Sequence, residues 1–176
     1  RYTVKEVLTL HTNNSTQAAE EWQQLLTTVP LVNFADAADD YSWGDVVLDT
    51  LAPISDTEFN YVGNDQAIVA ELNYQNHHIL FTGDITSVEE ATLQKIYPAL
   101  TADIIKVAHH GSKYSSGAAW LAQLQPDVAI IEVGQNSYGH PANETLTRLK
   151  AAGADIYRTD QNGTIEVNFK DNGYSI

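Results

Sequence analysis

The stretch "ADIIKVAHHGSKYSSGAAW", residues 102–120, decides how this chain is read. An apolar run, Ile104-Ile105-Lys106-Val107-Ala108, has the composition of a buried strand and ends in two histidines, a glycine and a serine. A helix-like segment follows. On an extended chain successive side chains point to opposite faces. His109 and His110 are therefore expected to diverge, one facing a site and the other packed or solvated.

Working outward, the same unit of strand, polar cluster and helix occurs three times. Ile79–Thr82 leads through "FTGD" to a helix expected from Ser87 to Tyr97. Asp103–Val107 leads through "AHHGS" to a helix from Ser116 to Gln123. Val128–Val133 leads through "VGQNSYGHP" to a helix from Ala142 to Ala152, with Pro141 at its start and Gly153 just past its end. Upstream, Val4–Leu10 reads as a strand and Thr16–Thr28 as an amphipathic helix. Residues 35–45 read as an acidic loop, Val46–Leu51 as a strand and residues 51–65 as a long connection. Ala67–Leu72 and His78–Phe81 read as a hairpin turned at Gln75-Asn76. Two short strands close the chain, Ile156–Arg158 and Thr164–Phe169, joined by a turn at residues 160–163. Alternating strands and helices define the fold class as α/β.

The chain has 176 residues, with 9 basic and 23 acidic ones and a net charge of −14. Such a surface repels nucleic-acid phosphates, so phosphate chemistry here needs bound cations to offset the field. No apolar run is long enough for a membrane-spanning helix. Cysteine is absent, which excludes disulfides and thiolate ligands. Methionine is absent too, and with Arg1 first the chain reads as a segment of something longer.

Ligands in α/β sheets collect beyond the carboxyl ends of strands. The three clusters place Asp84, then His109, His110 and Ser112, then Asn136 and His140 at such ends. One carboxylate and three imidazoles suit a zinc or manganese site. Each residue also has an ordinary reading: Asp84 as a helix cap, the histidine pair as one core and one surface residue, His140 as a loop residue. Their recurrence at the same point of the same unit favours a site. His77 and His78 are expected to be solvated at the hairpin, Asp160 to form a turn, and His11 is a weaker ligand candidate at the end of the first strand.

Taken in order, "LFTGDI", "DIIKVAHHGSKYSS", "NSYGHP" and "IYRTDQNGTIEV" closely resemble the metallo-β-lactamase-like domain of the ComEC competence proteins, and free-standing hydrolases of the same branch. The resemblance is strongest over residues 46–169. It implies an αββα sandwich, with residues 1–176 as the C-terminal part of one such domain. It further implies two divalent metal ions per complete domain, zinc or manganese. Asp84 would bridge the ions, His110 would be a ligand, and His140 would be a ligand or a substrate-facing histidine near the second ion. His109 or His110 would serve as ligand or proton donor to a leaving oxygen, and Ser112 and Lys113 would contact phosphate. The implied activity is DNA phosphodiester hydrolysis, at the extracellular face of the membrane, beside a channel domain of the same polypeptide. A smaller ester or phosphoester substrate, or a non-catalytic binding role, are the alternatives. The superfamily's HxHxDH or HxDxDH motif is absent from the chain. The expectation is therefore a domain without its N-terminal half, holding part of the metal site, inactive alone and prone to form a homodimer through an open sheet edge.

Overall fold

A computed structural model describes residues 3–9, 16–37, 40–54, 66–170 and 173–176. The body of the molecule is a seven-stranded sheet. Its strands, in spatial and chain order, are β3 (Asp40–Trp43), β4 (Val46–Ala52), β5 (Val69–Tyr74), β6 (His77–Phe81), β7 (Ile104–Lys106), β8 (Val128–Ile131) and β9 (Asp155–Arg158). The first four run antiparallel to one another, and β6 to β9 are parallel. The β5–β6 hairpin closes at Gln75-Asn76, with Gln75 at φ 56° as a two-residue turn requires.

Three helices make the parallel crossovers: α2 (Ser87–Ile96), α3 (Ala118–Leu124) and α4 (Asn143–Ala151). Crossovers between parallel strands are right-handed. Because β6 to β9 progress in one direction without reversal, all three helices fall on one face. There Leu93, Trp120, Leu121, Leu124 and Leu149 pack on Leu51, Val69, Leu80, Ile105 and Ile131. Each large side chain so buried contributes about 1.5–3 kcal/mol. On the opposite face Ile79, Ile104 and Val128 meet Phe169 and Tyr174, from β10 (Asn168–Lys170) and β11 (Gly173–Ser175), an antiparallel pair. A separate parallel pair, β1 (Glu6–Thr9) and β2 (Leu31–Phe34), is linked by α1 (Gln17–Leu26).

The expected helices and the hairpin are present. Three expectations change. Residues 40–43 of the acidic stretch form the edge strand β3, which its exposed, polar sequence did not signal. Residues 159–162 form a single helical turn. The last strand pairs with residues 173–175 and not with its predecessor. Most of the connection at 51–65 and His11 lie outside the described residues.

Candidate metal and substrate cleft

The parallel run delivers the three polar clusters to one edge of the sheet. After β6 the chain turns at Gly83, φ +52°, where an added Cβ would lie 2.7 Å from Ala67 Cβ and 3.0 Å from Ile68 O. Its carbonyl accepts the His109 N–H at 3.1 Å and the Lys106 ammonium at 3.2 Å. The Thr82 hydroxyl donates to Lys106 O at 2.6 Å. Asp84 is thereby locked beside the end of β7.

The histidine pair is not extended. Ala108–Gly111 is a 3₁₀ turn in which His109 (φ 48°, ψ 45°) and His110 (φ 54°, ψ 25°) both occupy the left-handed region. The extended geometry behind the expected divergence is therefore absent, and the two rings border adjoining cavities, one each. Left-handed backbone costs about 1–2 kcal/mol per non-glycine residue. The turn is held by Ser112 N–H donating to His109 O at 2.9 Å and Ala142 N–H to Gly111 O at 2.9 Å. Gly111, at φ +83°, lies so close to residue 141 that a Cβ would sit 2.6 Å from Pro141 Cβ. His110 Nδ1–H donates to Glu132 O at 2.7 Å. A carbonyl can only accept, so the proton is on Nδ1, and Nε2 faces Asp84 Oδ1 at 3.8 Å. Carbonyl-anchored imidazoles with the other nitrogen free are a common ligand arrangement.

The segment after the pair is gripped from two sides. The Glu90 carboxylate, 2% exposed, accepts the N–H groups of Ser116 and Gly117. The Arg148 guanidinium donates to Ser116 O and Ser115 O, each at 2.8 Å, and to Lys113 O at 3.2 Å. The Thr145 hydroxyl donates to Ser112 O and Ser115 to Ile85 O. Sequence reasoning missed Glu90 and Arg148, because an acid in a first helical turn and a base in a last turn look like ordinary complements to the helix dipole. Ser112 is itself 2% exposed, and its hydroxyl accepts the Tyr114 N–H at 3.3 Å.

The third wall is residues 134–140, organised by Asn136. Its Oδ1 accepts from Tyr138 N–H and His140 N–H, and its Nδ2 donates to Gly134 O and His140 O. His140 comes to rest 5.6 Å from the His109 ring, centroid to centroid. Burial, with the neighbouring His109 and His110 as secondary causes, lowers its pKa, and Asp84 opposes the shift. The clusters enclose two adjoining cavities, of ≈ 380 and ≈ 530 Å³. His110 lines the first and His109 the second, with His140 and Tyr138 shared between them.

Elsewhere, Asp160 pairs with Arg158 at 2.6 Å. His77 is not solvated as expected: its ring packs against Phe169 and Tyr174 at 5.6 and 5.5 Å.

The donor types in the cleft fit a divalent ion. His140 Nδ1 is buried without a hydrogen-bond partner, and His110 Nε2 is oriented toward a carboxylate. The donors meet in twos, however: among the described residues no group of three or more histidine or acidic side chains is close enough to hold an ion. The residues present thus fit part of a metal shell.

No protein-family profile matches the chain. Among solved structures it resembles a protein described as a metal-dependent hydrolase from Parabacteroides distasonis, with TM-score 0.51, 14% identity and coverage of 88% of this chain and 75% of that one. It also resembles a CmlA β-hydroxylase variant, with TM-score 0.55 at 12% identity, covering 87% of this chain and 38% of the other. The fold is that of the metallo-β-lactamase class. In sequence the chain is 38% identical over 108 residues to ComE operon protein 3 of Bacillus subtilis, covering 61% of this chain and 14% of the relative. It is 28% identical over 137 residues to Recombination protein 2 of Haemophilus influenzae, covering 77% and 17%. With competence protein ComA of Neisseria gonorrhoeae it shares 29% over 128 residues, 72% and 18% of the two chains. Within that fold class, then, the chain is similar in sequence to ComEC-type competence proteins. The chain matches less than a fifth of the length of these curated relatives. Among the described residues no helix is long and apolar enough to cross a membrane.

Proposed function

We propose that this chain supplies the substrate-side part of a metal-dependent DNA phosphodiesterase in a competence protein. The observation that carries the proposal is the convergence of Asp84, His109, His110 and His140 from three adjacent parallel strand ends onto one cleft. Asp84, His110 and His140 would hold divalent metal, zinc or manganese and two ions in a complete domain, with the remaining ligands coming from outside these residues. Bound metal would supply a water of lowered pKa as nucleophile.

The chain's own groups do the rest. Glu132 O fixes the His110 tautomer, so that Nε2 is presented to the cleft. His109, held over the same cleft by Gly83 O, is placed to give a proton to a leaving oxygen, work usually worth about 10²- to 10⁴-fold. The exposed Lys113 extends the cleft rim with a cation that can meet a phosphate, in a chain whose net charge is −14. Ser112, buried beneath the turn, reaches substrate only through the cavity that it helps to line. In this reading the domain lies at the extracellular face of the membrane, beside the channel domain of its own polypeptide, and is inactive when cut away from its other ligands. As an isolated piece it would form a homodimer through the β3 edge.

The test is manganese- and zinc-dependent cleavage of single- and double-stranded DNA by the full-length polypeptide, with an Asp84→Ala control. Cleavage abolished by the substitution supports the proposal. Folded protein that cleaves small phosphoesters and not DNA redirects it to a different substrate, and folded protein that hydrolyses neither removes the enzyme reading.

A further inference from the structure

The cleft carries one feature that metal-assisted hydrolysis alone does not require. Tyr138 is 82% exposed and Tyr114 66% exposed, and both line the ≈ 530 Å³ cavity beside His109 and His140. Single exposed aromatics are common on protein surfaces. Two on the rim of one polar cleft are a different matter, and the backbone under each is fixed. Tyr138 N–H donates to Asn136 Oδ1 at 3.1 Å, inside the bracket that also holds His140. Tyr114 donates its N–H to Ser112 Oγ, and its carbonyl accepts the Ser87 N–H at 2.9 Å.

One face of the Tyr138 ring lies on His140, 5.9 Å between centroids and 20° from parallel. With 82% of the residue in solvent, the other face is open. On the lining of the same cavity the Lys113 ammonium stands 5.0 Å from the Tyr114 ring centroid, a cation–π contact that keeps the charge at the rim. A ring on a fixed backbone with one open face, beside a cation and a phosphoester-type site, matches one ligand chemistry: a flat aromatic group joined to an anion.

We propose that Tyr138, with Tyr114 lining the same cavity, is a stacking platform for an unpaired nucleobase whose phosphate lies against Lys113. The inference rests on the reading of the cleft as a phosphodiesterase site, and it deepens that reading by naming single-stranded nucleic acid as the substrate form. In a duplex both faces of an internal base are already covered, so the open ring has nothing to receive. Stacking is short-ranged and insensitive to net charge. It therefore gives an acidic protein a hold on a polyanion that long-range attraction denies it.

The experiment measures equilibrium binding by fluorescence anisotropy at low salt, in chelator so that no cleavage occurs. The probes are a fluorescein-labelled oligothymidine and an abasic strand of equal length and charge. Oligothymidine is expected to bind about fivefold to a hundredfold more tightly than the abasic strand, as stacking of a base on an aromatic side chain implies. Tyr138→Ala removes that difference and Tyr138→Phe, which keeps the ring, preserves it. Equal affinity for the two strands, no binding of either, or a loss with Phe as large as with Ala overturns the inference. The proposal about function fails separately: base-dependent binding without metal-dependent cleavage leaves the platform standing and removes the nuclease.

Discussion

The chain contains the same dipeptide twice, His77-His78 and His109-His110, and the two pairs have opposite fates. The first opens β6, an extended strand, and its rings part as strand geometry dictates. His77 goes to the face of Phe169 and Tyr174, and His78 Nδ1–H donates to Glu71 at 2.9 Å. The second pair sits in a left-handed turn, and its rings line two adjoining cavities, which share His140 and Tyr138. Side-chain chemistry is identical, so the backbone alone separates a packing role from a site. What holds the second backbone in its costly conformation is a set of distant groups: Gly83 O on the His109 N–H, the Ala142 N–H on Gly111 O, and Pro141 packed against Gly111.

The sharpest way to break this comparison is to remove one ring at a time. His109→Ala and His110→Ala are each expected to lower DNA cleavage by about 10²-fold or more while leaving stability within about 1 kcal/mol. His77→Ala is expected to do the reverse, costing about 1 kcal/mol of aromatic packing with cleavage unchanged within about twofold. Cleavage rates beside urea denaturation decide it. If His77→Ala loses as much activity as His109→Ala, the two pairs are not distinct in role.

Next in size is Gly111→Ala. The new methyl would meet Pro141 at 2.6 Å, and φ +83° disfavours any side chain. The expected cost is about 2–4 kcal/mol in urea unfolding, with cleavage falling as His140 is pushed from His109. A change below about 0.5 kcal/mol would mean that the close approach at residue 141 is not what sets the turn.

Arg148→Ala tests the grip on the loop from the far side. Three carbonyls lose a charged donor, and about 2 kcal/mol of stability should go with it. Arg148→Lys, which can meet only some of the three in a single geometry, should recover part of the loss. Cleavage should fall further than stability accounts for, because the segment from residue 113 to 116 is continuous with the histidine turn.

How much of this was legible in the sequence follows the same division. The three strand ends were legible, because a buried strand, a polar cluster and an amphipathic helix each leave a periodic trace. Asp84, His109, His110 and His140 could be gathered to one edge from topology alone. The left-handed turn was not legible: positive φ at a histidine has no local signature, and here it is imposed by contacts 20 to 30 residues away in sequence, such as His110 with Glu132 and His109 with Gly83. The edge strand β3 was hidden because Asp40, Ser42 and Trp43 stay exposed, so no hydrophobic alternation marks it. Glu90 and Arg148 were hidden because their work is done on backbone atoms of another segment, which carry no residue identity.

The smallest expected effect belongs to the His78 end of the sheet. In register across β3, β4 and β5, Asp40 faces Asp49 and Asp49 faces Glu71, a row of three carboxylates. Burial, followed by Asp40 and Glu71, raises the pKa of Asp49, and the hydrogen bond from Asn73 Nδ2 at 2.7 Å only partly opposes this. A carboxyl whose folded pKa is raised holds its proton better when folded. Its contribution to stability is fully present below the usual value of about 3.9 and is lost as pH rises through the folded value. At neutral pH Asp49 therefore weakens the sheet. Asp49→Asn removes the charge and can still accept from Asn73, so it should raise the urea midpoint at neutral pH, and that gain should shrink toward zero below about pH 4. A gain that persists unchanged in acid would locate its origin in packing instead. A loss at neutral pH would show that the carboxylate row is satisfied by His78 and Asn73, and that this end of the sheet is as deliberately held as the cleft.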